Sequence, residues 1–216
     1  MPPFPKPRTR FTPDLAVERR RLHAHKRRRG IPARSPGSLL IGSWNLANLG
    51  LQLRREVDLQ LIATIAKWFD ILAIQECREN FGDLYQILHY MGQRYRTIMT
   101  EPGGNGERMV FLWDDTKVEL LDEVGEVTVP PSVLRHVKLK GSERQFEGFD
   151  RPPYLASFRL RRTSFSVQLA NVHLYFGSDG QEDRERRALE TAAIARWAKL
   201  RSRSMFSGAR ELIALG

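Results

Sequence analysis

The chain has 216 residues, 41% of them hydrophobic and 28% charged, with a formal net charge of +10. That balance describes a domain with a core of its own rather than a disordered or fibrous chain, and no run approaches the roughly 18 apolar residues of a membrane helix. A single cysteine, Cys77, excludes an internal disulfide and a cysteine-based zinc cluster, and fits a reducing, cytoplasmic setting.

The charge is concentrated at one end. Residues 1–36 carry 11 Lys and Arg against 2 Asp and Glu, whereas residues 37–216 carry 24 against 23. This basic, Pro- and Arg-rich stretch is densest at Lys26-Arg27-Arg28-Arg29. It has no apolar leader segment and too few apolar residues to fold alone, so a disordered arm is expected. Such an arm suits a polyanion, nucleic acid above all. Pro32, Pro36 and Gly37 mark its end, and residues 37–216 read as one domain.

Residues 39–46 form the first predicted strand. Val57, Leu61, Ile62, Ile65 and Trp68 then recur at helical spacing over 57–69. A strand at 71–75 completes a βαβ-like unit. A helix over 83–91 follows, with Gly92 at its stop. Strands are expected at 95–100, 108–113 and 118–121, the last two separated by the turn Asp114-Asp115-Thr116-Lys117. Residues 129–149 read as loop with a short strand. Alternation over 155–160 and 165–173 around a polar turn reads as a hairpin. A helix over 183–200 presents Leu189, Ala193, Trp197 and Leu200 on one face, and residues 211–215 begin a last strand.

Two of these strands end abruptly. IGSWNLANLG (41–50) offers Asn45, and DILAIQECREN (70–80) offers Glu76. An unpaired buried carboxylate costs several kcal/mol or shifts its pKa until it neutralises, so a cation or metal ion is expected at the sheet rim. Further polar residues punctuate later strand ends: Glu107 in GNGERMVFLW, Arg151 in FDRPPY and His173 in ANVHLYFG.

The five motifs, in this order from about residue 39 onward, resemble the endonuclease/exonuclease/phosphatase superfamily, and TEPGGNGER and QECRE lean toward its deoxyribonuclease I branch. The resemblance implies an α/β fold, the four-layer α/β/β/α deoxyribonuclease I-like sandwich. It implies Mg²⁺ or Mn²⁺ at Glu76, because a hard dication takes a carboxylate and retains waters. Asn45 would orient the scissile phosphate or the metal shell. Arg151 would clamp phosphate with its planar fork. His173 would assist at a phosphoryl oxygen, with Glu107 accepting its hydrogen bond and fixing its tautomer. Arg78 matches a position that reaches a DNA groove. Five of these residues also have a plain structural reading: Asn45 capping a turn, Glu76 as a solvated strand-end carboxylate, Glu107 pairing only with Arg108, Arg151 as a loop charge, His173 as a core histidine.

The pattern departs from the superfamily after ELIALG, where members continue into Asp-x-Asn and Ser-Asp-His motifs. The resemblance therefore implies an incomplete second sheet and an impaired centre, in which the water-activating half is missing. The expected activity is nuclease-like, metal-dependent phosphodiester hydrolysis. A lipid or inositol phosphatase, or a non-catalytic remnant that binds polyanions, stands as the alternative.

Overall fold

The computed structural model describes residues 11–204, 207 and 211–216. Thirteen elements are named: α1 (Leu15–Arg28), β1 (Ile41–Leu49), α2 (Glu56–Ala66), β2 (Ile71–Cys77), α3 (Gly82–Met91), β3 (Tyr95–Met99), β4 (Arg108–Asp114), β5 (Val118–Glu126), α4 (Pro131–Leu134), β6 (Tyr154–Leu160), β7 (Ser166–Asn171), α5 (Gln181–Arg201) and β8 (Glu211–Leu215). They build two four-stranded sheets, in the orders β1-β2-β4-β3 and β5-β6-β7-β8.

Strand alternation explains the layering. A strand sends successive side chains to opposite faces. In β2, Leu72 and Ile74 join Leu59, Ala63, Leu84, Ile87 and Met91 in a core beneath α2 and α3. Ile71 and Ala73 face the other way, into a second core shared with Phe111, Trp113, Phe158, Val167 and Leu169. β2 is thus buried on both faces, as its unbroken apolar run requires. α5 contributes Leu189 and Ala193 to a smaller third core with Val137 and Phe146. The layers run helices, sheet, sheet, helix. The parallel pairing of β1 with β2 around α2 is the expected βαβ unit.

Two regions differ from expectation. The sequence predicts a short strand within 129–149; the structure has the one-turn α4 instead, with Pro at its start, where the missing N–H costs nothing. The basic arm also carries structure. Residues 1–10 lie outside the described residues, but 15–28 form α1, with Asp14 Oδ1 accepting from Val17 N at 3.0 Å. His25, Lys26, Arg27 and Arg28 complement the carbonyl end of this helix. α1 is held to the domain rather than by a core of its own: Lys26 Nζ lies 5.6 Å over the Trp68 ring, and Arg55 Nη1 donates to the Phe11 carbonyl at 2.6 Å. On α5, Leu189 and Ala193 are buried, Trp197 is half-buried and Leu200 is exposed, so the predicted face is covered only along its first half.

Candidate functional site

The strand ends converge at one rim of the two sheets. β2 changes register there: Ile74 pairs with Val110, but the next pair is Cys77 with Arg108. Cys77 takes the helix-side place after Ile74, so one extra residue sits between them, as in a β-bulge, which re-aims a side chain. Glu76 is that turning point, with φ +64°. A left-handed backbone at a non-glycine residue costs about 1–3 kcal/mol, and hydrogen bonds offset it. Asn45 Nδ2 donates to Glu76 Oε1 at 2.7 Å, and the Asn48 backbone N–H donates to Oε2 at 3.0 Å. Ala47 and Asn48 also have positive φ. Their turn is held by Asn45 Oδ1 accepting from Ala47 N at 2.8 Å, and by Arg54 Nη2 donating to the Leu46 and Ala47 carbonyls.

Glu107 arrives on the turn before β4. Gly104, at φ +54°, lets this turn lie against the 150–151 loop: a Cβ there would fall 2.7 Å from Asp150 Oδ2 and 3.0 Å from Arg151 Cγ. Glu107 Oε1 accepts from Arg78 Nη2 at 2.9 Å. Arg151 Nη1 and His173 Nε2 approach Oε2 at 3.2 and 3.3 Å, but their angles fall short of hydrogen bonds, so this buried oxygen is left without a hydrogen-bonded partner. Burial raises the Glu107 pKa, while the His173 contact and the charges of Arg151 and Arg78 outweigh burial and hold it below the usual carboxylate range. His173 Nε2 also stands 3.5 Å from Glu76 Oε1. One ligand atom from each of Glu76, Glu107 and His173 lies within 4.8 Å of the others, and both carboxylates are buried.

The sheets are stitched together directly beneath. Gln75 Nε2 donates to Asn171 Oδ1 at 2.6 Å, and Asn171 Nδ2 donates to the carbonyls of Ile74 and Val110. β7 stops there, so His173 sits on a loop rather than on the strand that alternation suggests.

Asn45, Glu76, Glu107 and His173 are therefore together, and Glu107 pairs with them rather than with Arg108, which meets Glu101 at 3.2 Å. Asn45 caps a turn through Oδ1 and also holds Glu76 through Nδ2. Arg151 is inside the assembly. Its Nε and Nη2 donate to the carbonyls of His173 and Leu174 at 3.0 and 2.9 Å, and Nη1 donates to Asn105 Oδ1 at 3.3 Å. Its donors face protein acceptors, and it binds the His173 loop to Glu107. Arg78 likewise turns inward, onto Asn48 Oδ1, the Asn105 carbonyl and Glu107.

Sequence reasoning missed the residues that hold these loops. Glu190 of α5 is fully buried and accepts from Asp150 N at 3.0 Å and Tyr175 N at 2.8 Å, bracketing Arg151 and His173. A carboxylate on the core side of an amphipathic helix, next to Leu189 and Ala193, is the signal that could have exposed it. Asn105 and Asn48 offered none, because asparagine in a loop is ordinary.

No protein-family model and no curated protein matches the sequence. Solved structures do. Caenorhabditis elegans TDP2 is 18% identical over 87% of this chain and 50% of its own, with a TM-score of 0.52. A truncated form of the same protein is 18% identical over 79% of this chain and 58% of its own, with a TM-score of 0.51. An endonuclease/exonuclease/phosphatase family protein from Bacteroides thetaiotaomicron is 19% identical over 79% and 60%, with a TM-score of 0.49. The chain spans less than two thirds of the length of each. At these identities the likeness speaks for the fold alone, and the fold of this chain is the deoxyribonuclease I-like α/β sandwich of two four-stranded sheets that it shares with these structures.

Proposed function

We propose that the chain is a divalent-metal-dependent phosphoesterase-type domain whose substrate class is the phosphodiester of nucleic acid. The observation that carries this reading is the convergence of Glu76, Glu107 and His173 at one rim, with Glu107 Oε2 buried and without a hydrogen-bonded partner. The donor set fits Mg²⁺ or Mn²⁺: two carboxylates serve a hard dication that keeps water in its other positions, and the orphaned oxygen is an acceptor such an ion would satisfy. When bound, the ion would supply charge neutralisation at a phosphoryl oxygen.

The chain's own groups do the rest. Asn45 and the Asn48 N–H hold both oxygens of Glu76. His173 Nε2 stands at the rim, 3.3 Å from Glu107 Oε2 and 3.5 Å from Glu76 Oε1, where it can hold a proton beside a bound phosphoryl group. Arg78 and Arg151 place positive charge behind Glu107. Because the carboxylates and the imidazole are engaged with one another and with the arginines, we propose that this cluster binds metal and phosphate better than it activates water, and that turnover by the 216-residue chain is weak. The net charge of +10 favours a polyanionic substrate.

The test is calorimetric titration of Mn²⁺ paired with hydrolysis of plasmid DNA, a chromogenic phosphodiester and soluble inositol phosphates. Glu76→Ala should weaken metal binding by about 10–100-fold and remove whatever DNA hydrolysis there is. Unaltered Mn²⁺ affinity in that variant would sink the assignment. Turnover of inositol phosphates without DNA cleavage would move the chain to the phosphatase reading.

A further inference from the structure

We propose that the chain carries a second phosphate-binding surface, at the end of the sandwich opposite the Glu76–Glu107–His173 centre, which grips a nucleic-acid backbone. This inference goes beyond the hydrolytic reading and requires no catalysis. The surface is a basin of ≈ 840 Å³ bounded by Arg34, Lys67, Arg94, Lys117, Arg161 and Arg162, with Asp114 the one acidic residue in its lining. It lies where β2 begins and β4 ends. At the rise of a strand, Asp70 and Glu76 are on the order of 20 Å apart, so the two sites are separate.

The basin is built on a fixed floor. Asp70 and Asp114 are both buried. Arg34 bridges them, Lys117 Nζ donates to Asp70 Oδ2 at 2.6 Å, and Arg94 Nε meets Asp114 Oδ2 at 3.2 Å. Arg161 pairs with Asp115 at 3.0 Å. Three carboxylates thus answer six cations. Lys67 donates to the Tyr90 carbonyl at 2.8 Å and has no ion pair among the described residues. Burial and the positive charges of Arg19 and Arg94 push its pKa down. Arg162 is exposed and has no ion pair among the described residues. A site whose own charges repel one another is stabilised by an anion that enters it.

The chemistry of the lining selects the anion. Arg34 is spent on the floor, but Arg94 and Arg162 are exposed and their planar forks match phosphate oxygens, with Ser35, Thr116 and Thr163 beside them. Leu53 and Phe176, both exposed, lie outside this lining. That argues against a bilayer, which rewards insertion of apolar groups, and against an apolar-anchored peptide. The basic run is continuous with it: Lys26 lies over Trp68, next in sequence to Lys67, and the chain from Lys26-Arg27-Arg28-Arg29 leads directly to Arg34.

The experiment is fluorescence anisotropy of a labelled DNA duplex with the full chain in EDTA, as a function of salt. Metal is absent, so failure of the hydrolytic reading leaves the result intact. Lys67→Ser, Arg94→Ser and Arg162→Ser together should weaken binding by about tenfold or more and lower the slope of log K against log salt by about 0.9 for each phosphate no longer neutralised. If the triple variant does not fold, the exposed single variants Lys67→Ser and Arg162→Ser are read by the same slope. Unchanged affinity and slope would overturn the proposal. So would loss of binding only when Arg27, Arg28 and Arg29 are substituted, which assigns the interaction to the arm alone. Loss of binding to phosphatidylserine vesicles with retention of DNA binding would overturn the choice of partner.

Discussion

Removing Glu190 tests how the rim is held. Its carboxylate is fully buried and accepts from the backbone N–H groups of Asp150 and Tyr175. Hydrogen bonds to a charged acceptor contribute about 1.5–3 kcal/mol each, giving about 3–6 kcal/mol for the pair. Glu190→Ala also removes a buried charge and its desolvation cost, which returns part of that sum. A net loss of about 2–4 kcal/mol is expected, equivalent to roughly 2–4 °C in Tm per kcal/mol for a chain of this size. Glu190→Gln keeps one acceptor but turns an NH₂ toward the second N–H, so it should lose about half as much. Urea denaturation measures the total. Amide hydrogen exchange locates it, since protection should fall at Asp150 and Tyr175 before it falls in β2. The reasoning fails if both variants stay within about 0.5 kcal/mol of the parent, or if the two amides keep their protection. Metal affinity gives a second readout, because the loops freed in this way carry Arg151 and His173.

Stability should fall on the acid side through Glu107. Its pKa is held below the usual range in the folded chain, so its contribution is fully present above the unfolded value of 4.5 and is lost as pH falls through the lower folded value. Asp114 acts in the same sense, from an unfolded value of 3.8. Urea midpoints should therefore drop below about pH 4.5, and Glu107→Gln should flatten that limb; an identical limb in the variant would refute the assignment. In the inter-sheet core, Phe158 is fully buried, with its ring 5.5 Å from that of Phe111 and 5.8 Å from that of Trp113. Phe158→Ala should cost about 3–5 kcal/mol in thermal or urea unfolding, and a loss under about 1 kcal/mol would mean the sheets do not pack as described.

The elements were readable because they rest on local periodicity. Alternation marked β6 and β7, helical spacing marked α2 and α5, and Gly92 marked the end of α3, where φ is +105°. The α1 helix escaped this reading because its support is not local. Asp14 caps it, but Trp68 and Arg55, some 40 residues on, hold it in place. Asn45, Glu76, Glu107 and His173 were visible as polar residues that a buried strand has no packing reason to present, and their convergence follows from strands of two sheets ending at the same rim.

The sequence by itself determined where most strands and helices lie and which polar side chains stand at or just beyond the strand ends. Those properties follow from spacing along the chain. Only the tertiary structure decided what the polar groups touch. The bulge at Glu76 is a matter of one backbone dihedral. The inward turn of Arg78 and Arg151, the bracket of Glu190 and the cations gathered around Arg34 each join residues tens of positions apart. A guanidinium's role is set by the acceptors within reach of its donors, and those are supplied by the fold rather than by neighbours in sequence.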